Sequence, residues 1–132
     1  PRVRRQRQMC IETGLEQAVV GNHISDIGRA IQQHAESHGY GVVRELVGHG
    51  IGMNMHEAPE VPNYVIPHFG RGARLVPGMA IAIEPMINLG TRRIHVLDDG
   101  WTCVTADGKP SAHYENTIFI SENGPEVLTN PE

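Results

Sequence analysis

The sequence predicts an α+β domain in which two helices pack on a mostly antiparallel β-sheet. Two helical patterns occupy most of the first forty residues, and strand and turn patterns fill the chain from residue 79 onward. Between them, residues 48–78 are rich in glycine and proline, which is typical of a long functional loop. A chain of 132 residues is long enough for one domain with an ordinary hydrophobic core.

The first helix is predicted over residues 2–20, where apolar residues recur among charges and glutamines. Gly14 weakens this helix by about 1 kcal/mol relative to alanine. The helix begins at Pro1 without a capping residue, which suggests that the chain starts inside an element.

A second helix is expected to be capped by Ser25 or Asp26 and to end at Gly39. Its predicted buried stripe consists of Ile27, Ala30, Ile31, His34 and Ala35. Residues 40–47 then follow as a strand pattern.

The rest of the chain alternates strands and turns. Residues 79–87 form one apolar run, and residues 113–121 form a second strand pattern that turns into a last strand at 126–129. Between these runs, residues 94–97 and 101–105 flank Asp98-Asp99-Gly100, which is typical of a hairpin turn.

The composition restricts the functional classes. Hydrophobic residues make up 39% of the chain and charged residues 20%, as in globular proteins. The net charge of −4 argues against DNA binding, and no apolar run is long enough for a membrane span. Two cysteines without metal-binding or redox spacing favour an intracellular setting. A solvated helix face or a patch for RNA or the ribosome would explain the arginines of the first seven residues, Arg2, Arg4, Arg5 and Arg7.

The stretch from residue 48 to residue 60 is the most unusual part of the chain. Glycines at positions 48, 50 and 52 allow a close approach of the backbone to another group, at an entropic cost. His49 and His56 lie seven positions apart within this stretch, which has no helical or strand periodicity. His49 is a candidate metal ligand, and a structural histidine is the equal alternative.

Two isolated carboxylates interrupt apolar strand patterns downstream. Glu84 stands in the sequence Ala-Ile-Ala-Ile-Glu-Pro-Met, and Glu115 precedes a β-branched run. Burial of an unpaired charge is costly, so each glutamate either pairs with an arginine, such as Arg92 or Arg93, or faces a cleft. Two carboxylates and one or two imidazoles from separate segments favour a metal site for Mn, Fe, Co or Zn.

Hydrolysis of an amide bond is the chemistry that such a site supports. A divalent metal ion lowers the pKa of bound water to about 7 and polarises a carbonyl group. Three protein ligands hold one ion and are too few for a fully ligated pair. The sequence contains neither a serine in a nucleophile elbow nor a phosphate-binding glycine loop with its lysine.

Five groups of residues, in chain order, resemble the type I methionine aminopeptidases. They are Gly48-His49-Gly50-Ile51-Gly52, Met55-His56-Glu57-Ala58-Pro59, Pro77-Gly78-Met79 with Ile83-Glu84-Pro85-Met86, Asp99-Gly100-Trp101, and Ser111-Ala112-His113-Tyr114-Glu115-Asn116-Thr117. The short interval between His56 and Glu84 is similar to type I rather than to type II, which carries a long helical insertion there. The last two groups differ from the prolidases and aminopeptidase P, which share the fold.

The resemblance implies roles for the matching residues. His49 and Glu84 would ligate metal, and Glu115 would bridge two divalent ions in a complete site. Glu84 would also take part in proton transfer. His56 would be a catalytic residue rather than a ligand, because it would hydrogen-bond the substrate near the scissile amide.

The implied reaction is removal of the initiator methionine from nascent proteins in the cytoplasm. The substrate would be a peptide with an N-terminal methionine. Met55 and Trp101 match positions that line the methionine pocket, for which a thioether and a large aromatic ring are suited. Asn116 departs from the family pattern, which usually has histidine after the bridging glutamate.

The resemblance covers one half of the family's pita-bread fold. That fold has two pseudo-symmetric halves, each with two helices and an antiparallel sheet, and residues 1–132 resemble the C-terminal half of the catalytic domain. The N-terminal half would supply two aspartate ligands, a further histidine and much of the pocket, and is therefore an expected partner. Two alternatives stay open: a binding module that kept the fold and lost catalysis, and a catalytically incomplete half-domain that oligomerises to cover its sheet.

Overall fold

The structure is a computed structural model that describes residues 2–129. The side chains of residues 2–4, 6 and 7 lie outside this description, and so does Pro1, where the uncapped helix start was expected. Arg5 is exposed, which suits the solvated face expected for the first arginines.

Two helices are followed by short strands. Helix α1 spans Arg2–Glu16 and helix α2 spans Ile24–Ser37. The strands are β1 Gly41–Val42, β2 Gly48–Ile51, β3 Glu57–Val61, β4 Ala80–Ile83, β5 Met86–Asn88, β6 Ile94–Val96, β7 Cys103–Thr105, β8 Ser111–His113, β9 Asn116–Ser121 and β10 Gly124–Val127. The predicted α+β class is therefore confirmed, with α1 ending a turn earlier than expected.

All strand pairs in the described residues are antiparallel. The main sheet has the order β10-β9-β4-β2-β3, a smaller sheet has the order β1-β5-β8, and β6 and β7 form the predicted hairpin. Both helices contribute to one hydrophobic core with the inner faces of the strands, which includes Ile27, Ile31, Ile81, Ile83 and Ile118. No helix among residues 2–129 is long and apolar enough to cross a bilayer.

Helix α2 begins one residue or more before the predicted caps. His23 is the N-cap residue, and the Asp26 carboxylate accepts the His23 backbone N–H at 2.8 Å from inside the first turn. The prediction of Ser25 or Asp26 as the cap was therefore wrong, although Asp26 does satisfy the helix start.

The buried stripe of α2 was predicted in its main part. Ile27, Ile31 and Ala35 are buried, whereas Ala30 and His34 are only partly buried. Ile24 and Gly28 complete the stripe. Gly28 was missed because a glycine gives no hydrophobic signal, yet its lack of a side chain brings the helix close to its neighbours.

The glycine-rich stretch is a strand pair, which corrects the prediction of an irregular loop there and of a strand over residues 40–47. Only Gly41–Val42 pairs in the latter range. Strand β2 lies between β3 and β4, and a side chain at Gly48 or Gly50 would collide with the carbonyl oxygen of Ala82 or Ala58. The glycines therefore permit the close strand packing that hides the strand periodicity in the sequence.

Two runs that read as single strands are each divided between two sheets. The run over residues 79–87 contributes β4 to the main sheet and most of β5 to the smaller one. The run over residues 113–121 begins at the last residue of β8, in the smaller sheet, and continues as β9 in the main sheet. The break in the first run falls at Glu84 and Pro85, where proline cannot donate to a strand ladder. The break in the second run falls at Tyr114 and Glu115, so both glutamates lie at the seam between sheets.

Replacement of Gly28 by alanine tests the packing of α2. The added Cβ would lie 2.7 Å from the Tyr64 carbonyl oxygen and 2.8 Å from that of Pro62, and neither backbone group can move freely. We expect Gly28→Ala to lower the free energy of unfolding by about 1–3 kcal/mol in urea denaturation, although alanine favours a helix.

Gly14→Ala is the matched control within α1. Its added Cβ would meet the end of the flexible Ile31 side chain, 2.9 Å from Cδ1, which can adjust. We expect this variant to change the free energy of unfolding much less. Equal effects of the two substitutions would contradict the packing argument.

Candidate metal centre

His49 lies in β2, which pairs with β3 on one side and with β4 on the other. Its neighbours across the ladders are Glu60 in β3 and Ala82 in β4. The ring Nδ1 lies 3.0 Å from the Gly50 carbonyl oxygen, and only a protonated Nδ1 can donate to it. The Nε2 atom of the neutral ring is therefore the one with a lone pair for a ligand, and it lies 3.7 Å from Glu84 Oε2.

Glu84 and Glu115 are brought together by strand pairing. Ile83, the last residue of β4, pairs with Asn116, the first residue of β9. Glu84 follows the first of these positions and Glu115 precedes the second, so their side chains leave the sheet at the same edge. One ligand atom from each of His49, Glu84 and Glu115 lies within 4.8 Å of the others.

The surroundings of Glu84 disfavour its charged form. Burial, together with the negative charge of Glu115 and a hydrogen bond with it, raises the pKa of this carboxyl group to about 7, and His49 partly opposes the shift. The side chains of His49 and Glu84 are only 12% and 16% exposed. Two close carboxylates beside an imidazole nitrogen therefore carry a repulsion that a divalent cation would relieve.

The donor set fits a divalent transition metal. It combines hard carboxylate oxygens with one imidazole nitrogen and contains no thiolate. Among residues 2–129, Glu84 Oε2 lies 3.7 Å from His49 Nε2, and neither Glu84 nor Glu115 pairs with Arg92 or Arg93. Pairing of either glutamate with Arg92 or Arg93, the example given for the alternative, is therefore not found in the described residues.

His56 stands beside the cluster without belonging to it. It is exposed in the turn between β2 and β3, and its ring centroid lies 4.1 Å from that of His49. Both rings border an open groove of about 480 Å³ whose other lining residues include Ala58 and Glu60. A substrate group in this groove would therefore contact His56 next to the cluster.

The two residues expected in a methionine pocket are not enclosed by this chain. Met55 is 75% exposed and Trp101 is 87% exposed. Trp101 lies in the turn of the β6–β7 hairpin, where its backbone N–H donates to Asp99 Oδ1 at 2.9 Å. Asn116 is buried, and its side-chain oxygen accepts a hydrogen bond from the Thr129 hydroxyl at 3.2 Å.

One buried polar residue near the cluster was missed in the sequence. Asn63 is fully buried, and its side-chain nitrogen lies 3.5 Å from the carbonyl oxygen of Glu84. The only signal in the sequence is its polarity directly after Val61 and Pro62.

Comparison with known proteins defines the class. Residues 7–122 match metallopeptidase family M24, and the chain belongs to that family. Its fold is shared with a prolidase from Pyrococcus furiosus, at a TM-score of 0.73 and 23% identity over 99% of this chain and 32% of that one.

Within this family, the similar relatives are methionine aminopeptidases. The chain is 60% identical over 116 residues to the one from Clostridium perfringens and 50% identical over 116 residues to methionine aminopeptidase 1 from Bacillus subtilis, in each case over 88% of this chain and 46% of the relative. It superposes on the crystal structure of the Thermotoga maritima enzyme with a TM-score of 0.91 and 43% identity, over 98% of this chain and 51% of that one. The chain therefore spans about half the length of these relatives, and the matching part is the C-terminal half.

The pH dependence of stability tests the environment of Glu84. Folding of the metal-free chain raises the pKa of Glu84 from its ordinary value of 4.5 to about 7, so the folded state binds this proton more tightly than the unfolded state. The free energy of unfolding should therefore fall as the pH rises between these values. We expect Glu84→Gln to flatten this decline in denaturation curves measured with a chelator present.

Glu126→Gln is the control, because Glu126 is an exposed glutamate in β10. We expect this variant to retain the decline of the unmodified chain. A decline that is the same in Glu84→Gln would show that other groups cause it.

Proposed function

We propose that this chain is the C-terminal half of a metal-dependent methionine aminopeptidase that removes the initiator methionine from nascent proteins. The observation that carries the proposal is the convergence of His49, Glu84 and Glu115 within 4.8 Å, with His56 beside them. The identity of 60% to the Clostridium perfringens relative supports the same assignment. The substrate is a peptide with an N-terminal methionine, and the reaction takes place in the cytoplasm, where nascent chains emerge.

The three clustered residues would hold divalent ions, two in the complete site, with Co, Mn, Fe or Zn as the candidates. Such ions supply polarisation of the scissile carbonyl group and a nucleophilic oxygen at neutral pH. His49 contributes a nitrogen whose orientation is fixed by the Gly50 carbonyl. Glu115, whose ligand atom lies within 4.8 Å of those of His49 and Glu84, would be the ligand shared by the two ions.

Proton transfer and substrate orientation come from the chain's own side chains. Glu84 is the residue that accepts a proton during attack and returns it to the departing amine, which requires a carboxyl group that gains and loses a proton readily. The ring of His56, which borders the groove, would donate a hydrogen bond to the substrate amide. The two histidines therefore have different proposed roles, since His49 would ligate metal and His56 would contact substrate.

The substrate pocket requires an opposing surface. Met55, between β2 and β3, and Trp101, in the β6–β7 turn, have exposed side chains. They form one wall of a methionine pocket, and the N-terminal half of the same fold supplies the other wall and two further ligands. This half is therefore the principal partner, and contact of the first arginines with the ribosome stays a prediction.

Complementation tests the proposed activity. We expect negligible release of methionine from the peptide Met-Gly-Met-Met by the 132-residue chain alone, because three ligands and one pocket wall are too few. Co-expression with the part of the Clostridium perfringens enzyme that this chain does not match should restore release. Robust turnover by the chain alone would refute the need for a second half, and no turnover in a verified complex would refute the activity.

Substitutions in the same complex separate the roles of the histidines. His49→Asn should remove bound metal and activity together, because it deletes the imidazole ligand. His56→Asn should retain bound metal while lowering kcat/KM by about 10²–10³-fold, the usual effect of removing one catalytic hydrogen bond. Metal analysis and peptide assays measure both effects.

His68→Asn is the matched control, because His68 is exposed and its φ of 63° is a conformation that asparagine tolerates. It should change neither metal content nor turnover. Loss of metal in His56→Asn would contradict its assignment as a substrate contact.

A further inference from the structure

Asn63 joins the two segments that carry His49 and Glu84. It follows β3 and is fully buried, and its side-chain nitrogen lies 3.5 Å from the Leu46 carbonyl oxygen and 3.5 Å from the Glu84 carbonyl oxygen. Leu46 lies two positions before β2, the strand of His49. One side chain therefore spans the backbone of both segments.

The orientation of this amide is fixed by its partners. The amide nitrogen has two N–H donors, and two carbonyl oxygens face it, so each donor has one acceptor. The reversed amide would place its oxygen against both carbonyls. The Asn63 Oδ1 atom has no hydrogen-bond partner within residues 2–129. The hydrogen bonds of this side chain are therefore made by its Nδ2 atom.

The segment that carries Asn63 is itself attached to the rest of the fold. The Tyr64 hydroxyl donates to the Arg44 carbonyl oxygen at 3.1 Å, and the Val65 backbone N–H donates to Gln32 Oε1 at 2.7 Å. The carbonyls of this segment also rest against Gly28 of α2. Asn63 therefore acts from a fixed position rather than from a free loop.

The Glu84 carbonyl is hydrogen-bonded by the Asn63 side chain, whereas the carbonyls of the next two residues are hydrogen-bonded by backbone N–H groups. The Pro85 carbonyl accepts the Tyr114 backbone N–H, and the Met86 carbonyl accepts the Val43 backbone N–H. The Glu84 carbonyl instead receives the amide of Asn63. A change of side chain at position 63 thus alters the peptide orientation at Glu84 without touching a ligand.

We propose that Asn63 is a positioning residue that sets the separation of Glu84 from His49 for a divalent ion. The inference rests on the proposed function, which makes both residues ligands. At 3.5 Å each hydrogen bond is long, so their contribution is to the geometry of the site more than to the stability of the fold. Residues that orient metal ligands typically change metal affinity by 10- to 100-fold when they are replaced.

Asn88 provides a closely matched control. It is also fully buried, its side-chain nitrogen donates to the Thr91 carbonyl oxygen at 2.9 Å, and its Oδ1 likewise has no partner among the described residues. It lies in β5 of the smaller sheet. Replacement of either asparagine by leucine removes a buried amide, and only one of them contacts the backbone of a proposed ligand.

The experiment is a Co²⁺ titration of the 132-residue chain, followed by visible absorption at a temperature where circular dichroism shows each variant folded. We expect Asn63→Leu to weaken Co²⁺ binding by at least about 10-fold and to change the absorption spectrum. Asn88→Leu should lower Tm while leaving the affinity and spectrum of the unmodified chain. If a leucine variant does not fold, Asn63→Ala and Asn88→Ala replace the pair.

Unchanged affinity and spectrum in folded Asn63→Leu, or equal changes in both variants, would overturn the positioning role and leave the metal centre in place. Absence of Co²⁺ binding by the unmodified chain would instead refute the metal centre. In that case, backbone amide chemical shifts of the metal-free chain, measured by NMR in both variants, decide whether Asn63 positions the two segments. Asn63→Leu must shift the signals of residues 47–49 and Glu84 more than Asn88→Leu does, and equal shifts would overturn the inference.

Discussion

The antiparallel pairing of β4 with β2 on one side and β9 on the other is the constraint on which the site depends. It places His49 opposite Ala82 and Ile83 opposite Asn116. The three proposed ligands come from segments far apart in the chain, and only the registers of these two ladders make them neighbours. A shift of either register by one residue would turn a ligand to the other face of the sheet and separate the cluster.

The clustering of Glu84 with Glu115, which the proposed metal site needs, lowers the stability of the metal-free fold. Burial and the charge of Glu115 both raise the pKa of Glu84, so the charged cluster costs folding free energy in the absence of a cation. The surrounding fold tolerates this cost because Ile81, Ile83 and Ile118, in the strands that adjoin the two glutamates, are buried in the core. Attachment of the Asn63 segment to α2 and to the connection before β2 extends the same support to the backbone at Glu84.

Much of the fold could be predicted because its signals are local. Helix periodicity identified α2, the Asp98-Asp99-Gly100 turn identified the β6–β7 hairpin, and isolated charges in apolar runs singled out Glu84 and Glu115. The division of the runs at residues 79–87 and 113–121 between two sheets was not predictable. Alternation of side chains indicates a strand but does not indicate the sheet in which that strand pairs. The role of Asn63 was equally hidden, since its partners are backbone carbonyls, which have no sequence signature.

The exposed position of Trp101 has a practical consequence. It is the one tryptophan in the sequence, and it lies 87% exposed in the turn of the β6–β7 hairpin, which forms its own two-stranded sheet. An indole in water emits at longer wavelength than one in an apolar contact. The chain therefore carries an intrinsic fluorophore at the wall of the proposed pocket, and a blue shift of its emission would register the arrival of an opposing protein surface without any label.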